Sequence, residues 1–370
     1  MRVLVSPDCF TGTLTAVEAA HAIRDGWLRT NANDDIRVIP LSDGGPGFLD
    51  CMIESLGATA VPVIVQDPLG RQIPAEFAIL GDEAWVESAQ ACGLAHLSQD
   101  ERDPRYTSTF GVGQLIAAAI DAGAKRVIVG LGGSGTNDGG AGALAALGAV
   151  AESGELAKGG AALVDVTGVD LSAALARVAG VEIVLASDVD NPLLGLRGAT
   201  AMFGRQKGAD DIIIMTLEGA LETFATTLGK RADGKDPAVA LGAGAAGGLG
   251  FGLMHLGAVR VPGISTVMDT VGMDSLLADA DLVITGEGCL DDQSLHGKVI
   301  AGVAQRAVAV GKPCVALAGD VRLGKREASA AGIDSAFSMT ELAGKEAAMG
   351  QPQAVLADLA QRVAKTWGRA

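Results

Sequence analysis

Runs of Val, Ile, Leu and Ala recur along this chain with little alternation of polar and apolar positions, and several stop at a carboxylate close to glycine. VLVSPD ends at Asp8, VIPLSDGG reaches Asp43, IVLASDVD carries Asp188 and Asp190, LVITGEG carries Glu287 and VALAGD ends at Asp320. Strands that are apolar on both faces belong to parallel sheets covered by helices on either side. Between them, residues 15–29, 112–122, 298–310 and 354–367 repeat apolar side chains at a spacing near 3.6, which predicts helices with one buried stripe. Alternating strand and helix predicts an α/β protein whose site lies at the carboxyl ends of the strands, where these acids collect. Residues 61–86 break the pattern and read as short strands divided by Pro and Gly turns, antiparallel or mixed.

A chain of 370 residues exceeds the usual reach of one core, so two domains are expected. The simplest arrangement is a doubly wound parallel-sheet domain made from both chain ends, residues 1–60 and 280–370, interrupted by a mixed-sheet α/β domain over 61–279. The net charge of -16 excludes the electrostatic footprint of a nucleic-acid or anionic-membrane binder. Cysteines 9, 51, 92, 289 and 314 show no C-x-x-C spacing, so neither a disulfide framework nor a zinc site is expected, and a reducing cytoplasm fits. MRVLVSPD has no signal-peptide core, in keeping with a cytoplasmic location. The uncharged span from Pro237 to Val259 holds seven glycines and reads as buried loop and small-residue helix, not as a membrane crossing.

Candidate chemistry begins at GLGGSGTNDGGAG, where Gly130, Gly132 and Gly135 form G-x-G-x-x-G after a strand and before an Ala/Leu-rich helix. Such a loop can seat a dinucleotide or cradle any phosphate on its backbone N–H groups and the helix behind it. The polar insert Ser134, Thr136, Asn137 and Asp138 argues against the dinucleotide, whose third glycine runs straight into close helix packing. A second match at Gly242, Gly244 and Gly247 is either a ligand loop or a packing turn. GDVRLGKR has P-loop spacing but Arg326 where a Ser or Thr should hold Mg²⁺, so a standard Walker site is not expected.

In ASDVDNP, Asp188 and Asp190 flank one residue, and in an extended segment they share a face, as paired metal ligands or a base and its partner would. Arg197, Arg205 and Lys207 follow as a cationic cluster, and acids beside cations suit phosphoryl transfer. Lys298 opens a predicted helix after Glu287, Asp291 and Asp292, an unfavourable place for a cation unless an anion sits there. His21, His96, His255 and His296 lack metal-ligand spacing and read as structural, with His296 alone near the proposed chemistry. No G-x-S-x-G is present, which leaves hydrolase chemistry unsupported.

Seven blocks in order, VSPDCFTGTLTA, LSDGGPG, GLGGSGTNDGGAG, SDVDNPLLGLRGA, FGRQKGA, GAGAAGGLG and ITGEGCLDDQSLHGK, make the chain resemble the bacterial glycerate kinase family, which is unrelated to P-loop kinases. The resemblance implies a flavodoxin-like domain from both chain ends, an inserted α/β domain and a site in the cleft between. It further implies ATP and Mg²⁺ as cofactors, D-glycerate as substrate and 2-phosphoglycerate as product. On it, Asp188 or Asp190 would ligate Mg²⁺ or take the hydroxyl proton. Lys207 and Arg197 would bind substrate carboxylate or phosphates, and Gly132, Gly133, Ser134, Gly135, Thr136 and Asn137 would cradle phosphate. Lys298 would support the transferring group, and Asp8, Asp43, Glu287 and Asp291 would complete an acidic rim. The chain departs from the commoner pattern at Thr11, Pro46, Phe48 and Cys289, where the family often has Lys, Glu, Thr and Arg. Expected partners are glycerate and nucleotide, without nucleic acid or membrane, and a homodimer is left open. The competing readings are an NAD-dependent hydroxy-acid dehydrogenase, with Glu152 or Glu155 as ribose-binding acid, and a non-catalytic sugar-acid binding protein.

Overall fold

The computed structural model describes residues 1–10, 12–295 and 298–368; Thr11 and His296, both singled out above, lie outside them. Its strands are β1 (Arg2–Val5), β2 (Asp35–Val38), β3 (Thr59–Gln66), β4 (Gln72–Leu80), β5 (Glu83–Glu87), β6 (Arg126–Gly130), β7 (Val150–Ser153), β8 (Thr167–Asp170), β9 (Glu182–Ala186), β10 (Val259–Val261), β11 (Leu282–Leu290), β12 (Cys314–Val321) and β13 (Ser335–Ser338). The chain groups into two units: Met1–Asp43, Asp50–Gly57 and Ile264–Ala370 form the first, Gly44–Leu49 and Ala58–Gly263 the second.

The first unit holds a five-stranded parallel sheet in the order β2-β1-β11-β12-β13. Numbered within the unit this is 2-1-3-4-5, the flavodoxin-like order, with its reversal between β1 and β11. The apolar runs become the buried centre: Val3, Leu4, Val5, Leu282, Val283, Ile284 and Val315 are all closed to solvent. One cover is the helix Ala16–Leu28, started by a reciprocal cap in which Thr15 accepts from the Glu18 N–H and Glu18 accepts from the Thr15 N–H. Its inward Ala19, Ala20, Ile23 and Trp27 share a core with Leu356, Leu359 and Val363 of the helix Pro352–Trp367. Each large side chain buried there contributes roughly 1.5–3 kcal/mol. Val5 pairs with Ile284, and the ladder continues past the strand as Ser6 N–H donates to the Ile284 carbonyl and Asp8 N–H to that of Gly286. Asp8 is thereby held level with Glu287 at the reversal, where open α/β sheets bind ligands.

The second unit has a six-stranded mixed sheet, β10-β9-β6-β5-β4-β3. β3, β4 and β5 are antiparallel, as the Pro- and Gly-broken 61–86 segment suggested, and β5, β6, β9 and β10 are parallel. The first glycine loop leaves the carboxyl end of β6 and the ASDVD segment that of β9. Strand β7, which carries Glu152, pairs antiparallel with β8 in a separate two-stranded sheet. A dinucleotide fold needs the strand after its glycine loop inside the parallel sheet to present the ribose-binding acid; the dehydrogenase reading loses that acid here. Residues 237–259 form a single 3₁₀ turn, the kinked helix Ala245–His255 and β10, and no described helix is long and apolar enough to cross a membrane.

Candidate active site

In the second unit, the glycines after β6 serve close backbone packing as well as exposure. A Cβ on Gly132 would stand 2.4 Å from Gly45 Cα, so the loop and the Gly44–Leu49 segment can touch only without side chains. Glu87, at the end of β5, fixes that segment by accepting the N–H groups of Gly47 and Leu49. The helix Ala141–Leu147 does not offer a free N-terminus to phosphate, contrary to the sequence expectation. Asp138, fully buried, already sits there: its carboxylate accepts from Gly140 N–H at 3.0 Å, Gly142 N–H at 3.2 Å, and Thr109 N–H and Oγ1 at 2.8 and 2.9 Å. Burial pushes this carboxyl's pKa up while those donors pull it down.

What remains for a ligand is the middle of the loop. The backbone N–H groups of Gly133, Ser134, Thr136 and Asn137 make no hydrogen bond among the described residues. Thr136 Oγ1 and Asn137 Oδ1 are buried without a hydrogen-bond partner, Asn137 being fixed through Nδ2 to Thr200 Oγ1 at 2.9 Å. Beneath them lies Lys207, 2% exposed, donating to the Thr136 carbonyl at 2.7 Å and to Ser134 Oγ at 3.1 Å. It has no carboxylate within ion-pair distance among the described residues. Burial lowers its pKa to about 8 despite the opposing pull of Cys92 and Asp138. A buried ammonium with one donor unspent, under a loop of free N–H groups, makes an anion-attracting surface.

The second glycine segment is a packing device for the first. A Cβ on Gly247, at φ +66°, would fall 1.9 Å from the Thr136 carbonyl oxygen, and Gly247 O accepts the Gly139 N–H at 3.0 Å. To make this approach the chain turns left-handed over Ala246, Gly247 and Gly248. Ala246 is the one non-glycine with positive φ among the described residues, a strain of roughly 1–2 kcal/mol.

Asp188 and Asp190 are both engaged within the protein. Asp190 is ion-paired with Arg260 Nη2 at 2.7 Å, Arg260 Nε also donates to the Ser187 carbonyl, and Asp188 Oδ1 accepts the Gly263 N–H at 3.0 Å. Among the described residues no three His, Cys, Asp or Glu side chains are grouped to hold a metal ion. The cationic cluster also divides: Arg205 pairs with Asp211, Lys207 is buried, and Arg197 stands exposed with no carboxylate partner among the described residues.

In the first unit, Asp8, Asp43, Glu287 and Lys298 do converge electrostatically. Burial, then the charges of Asp43 and Glu287, raise the Asp8 pKa to about 7. Glu287, 5% exposed, is likewise raised by burial, its Oε1 has no hydrogen-bond partner, and its Oε2 lies 3.9 Å from Lys298 Nζ. Lys298 is the N-cap of the helix Val299–Ala309, and Glu287 is an anion beside it. Asp291 turns inward on its own loop, accepting the Gln293 N–H at 2.9 Å. Sequence reasoning missed Glu87, Thr109, Asp138 and Arg260 as organisers of the site. Their partners lie 29 to 73 residues away, except where Asp138 caps its own helix, and only that local Asp-x-Gly-x-Gly spacing could have signalled one of them.

Residues 3–368 match the family model described as the glycerate kinase family. A glycerate kinase from Halalkalibacterium halodurans is 40% identical over 99% of this chain and 99% of its own length. The glycerate 2-kinase of Escherichia coli K12 is 39% identical over 92% of this chain and 90% of its own. The crystal structure of a glycerate kinase 2 from Salmonella typhimurium LT2 superposes with a TM-score of 0.86 at 38% identity, covering 100% of this chain and 98% of that one.

Proposed function

Because the chain belongs to the glycerate kinase family and is therefore a phosphotransferase, we propose that it transfers the γ-phosphoryl group of ATP to the 2-hydroxyl of D-glycerate. The observation that carries the assignment of the site is Lys207, a buried ammonium without an ion-pair partner under a loop of unspent N–H groups. Phosphoryl transfer involves little covalent chemistry on the protein, and its rate comes from positioning the in-line groups and stabilising charge spread over the phosphoryl oxygens. Lys207 and the Gly133–Asn137 backbone would supply that positive potential to phosphate oxygens. Arg197, which has no acidic partner among the described residues, would take the substrate carboxylate, and Lys298 would meet the transferring group.

Mg²⁺ would neutralise charge on the nucleotide phosphates, as in other kinases. Asp188 and Asp190 would be its candidate ligands, each with one oxygen already engaged, by Arg260 and by the Gly263 N–H. The test of the regiochemistry is NMR of the product made from D-glycerate and Mg-ATP. Coupling of phosphorus to the C2 proton is expected; coupling to the C3 protons would move the reaction to the other hydroxyl.

A further inference from the structure

Phosphoryl transfer to an alcohol has one requirement that an anion-binding loop does not meet, an acceptor for the hydroxyl proton. Asp190 is ion-paired with Arg260, and Asp188 accepts the Gly263 N–H at the edge of the second unit's sheet. At the strand-order reversal of the first unit another carboxylate is held in place. The backbone N–H of Asp8 is tied to the Gly286 carbonyl at 2.8 Å, and its Oδ1 accepts the Cys9 N–H at 2.7 Å. The Cys9 thiol faces the same carboxyl group. Level with it on β11 is Glu287, nine-tenths buried, whose Oε1 is unpartnered and whose Oε2 faces Lys298 at 3.9 Å. A buried carboxylate oxygen left without a donor is costly unless something that binds there supplies one. An acceptor without a donor, beside Asp8 at the crevice where this sheet order seats ligands, fits a substrate that brings hydroxyl groups.

We propose that Asp8 accepts the proton of the attacking hydroxyl, with Glu287 and Lys298 as the residues that position it, an inference that rests on the kinase reading above. The hydroxyl oxygen forms a bond to the γ-phosphorus while the bond from that phosphorus to the β,γ-bridging oxygen breaks, its electron pair leaving on ADP. The hydroxyl proton passes to Asp8 Oδ2 and from there to water. The groups facing Asp8 are Asp43 and Glu287, which favour its protonated form, and the Cys9 N–H and thiol, which oppose it; Lys298 and Asp291 in turn face Glu287. The carboxylate form therefore fills as pH rises through about 7.

The test is kcat/KM for D-glycerate between pH 5.5 and 9 at saturating Mg-ATP, for wild type, Asp8→Asn, Asp8→Glu and Glu287→Gln, with binding of a fluorescent ATP analogue measured alongside. Wild type is expected to lose activity about tenfold per pH unit well below pH 7. Asp8→Asn should lose about 10²- to 10⁴-fold in kcat, with nucleotide binding intact and no acid limb, and Asp8→Glu should recover part of the rate. Glu287→Gln, by removing a like charge, should move the limb to lower pH. Asp8→Asn turning over within tenfold of wild type with the limb unchanged would overturn the assignment. Should Asp8→Asn fail to bind nucleotide or to fold, an acid limb in Glu287→Gln at the wild-type position overturns it equally. A wild type that releases no ADP with D-glycerate would instead sink the kinase reading and this inference with it.

Discussion

Replacing Lys207 with Met should leave a protein at least as stable near neutral pH and far less active. The ammonium is enclosed, with two hydrogen bonds and no counter-ion among the described residues, and burial brings its pKa from 10.5 down to about 8. At about 1.4 kcal/mol per pH unit, that displacement costs the native state roughly 3 kcal/mol whenever the side chain is charged. Because the folded pKa lies below the unfolded one, the unfolded chain binds more protons between pH 8 and 10.5. Wild-type stability should therefore climb by up to about 3 kcal/mol relative to Lys207→Met across that interval, and the difference should be level below pH 8. Urea unfolding followed by circular dichroism at pH 7, 8.5, 9.5 and 10.5 measures it. The same ammonium is a buried cation at the glycine loop, so kcat/KM should fall at least 10²-fold, the usual loss when one preorganised charge-stabilising group is removed. A pH-independent stability difference would refute the burial argument, and a variant with near-wild-type turnover would refute the role given to the charge.

Asp138→Asn should cost about 2–4 kcal/mol, seen as a Tm drop of several degrees, because an amide presents only one acceptor oxygen to four donors and turns an N–H₂ toward the rest. Gly247→Ala should destabilise by a similar amount and also lower kcat/KM, since a Cβ 1.9 Å from the Thr136 carbonyl oxygen displaces the loop that carries Thr136 and Asn137. Asp190→Asn, by contrast, should keep kcat within tenfold of wild type, its carboxylate being spent on Arg260; a loss of a thousandfold would return it to the chemistry.

The parts of the fold that were readable from sequence are those with a local cause. Val3–Val5, Leu282–Ile284 and Val315–Ala318 are apolar on both faces, which only a covered parallel sheet tolerates, and Thr15 with Glu18 announces a helix start in four residues. The acids at the strand ends were visible for the same reason. At two places where the sequence called for an anion, the chain supplies one of its own. Asp138 supplies the anion at the helix N-terminus behind the glycine loop, and Glu287 supplies the one beside Lys298. Neither pairing is visible without knowing which strand ends lie together, because Asp138 meets Thr109 across 29 residues and Arg260 meets the ASDVD segment across more than 70. The second glycine motif was ambiguous for a related reason, since glycine that admits a ligand and glycine that admits a neighbouring backbone look alike in sequence; Gly247 against the Thr136 carbonyl is the second kind.

The most direct test of the account is ADP release from Mg-ATP in the presence of D-glycerate, L-glycerate, lactate, tartronate or glycerol, each supplied alone. Turnover on D-glycerate at least a hundredfold above that on glycerol is the expected result, because the acceptor must present both a carboxylate to a cation and a hydroxyl to a base. ADP release with none of them, or equally with glycerol, would contradict the assignment of this site to a hydroxy-acid kinase.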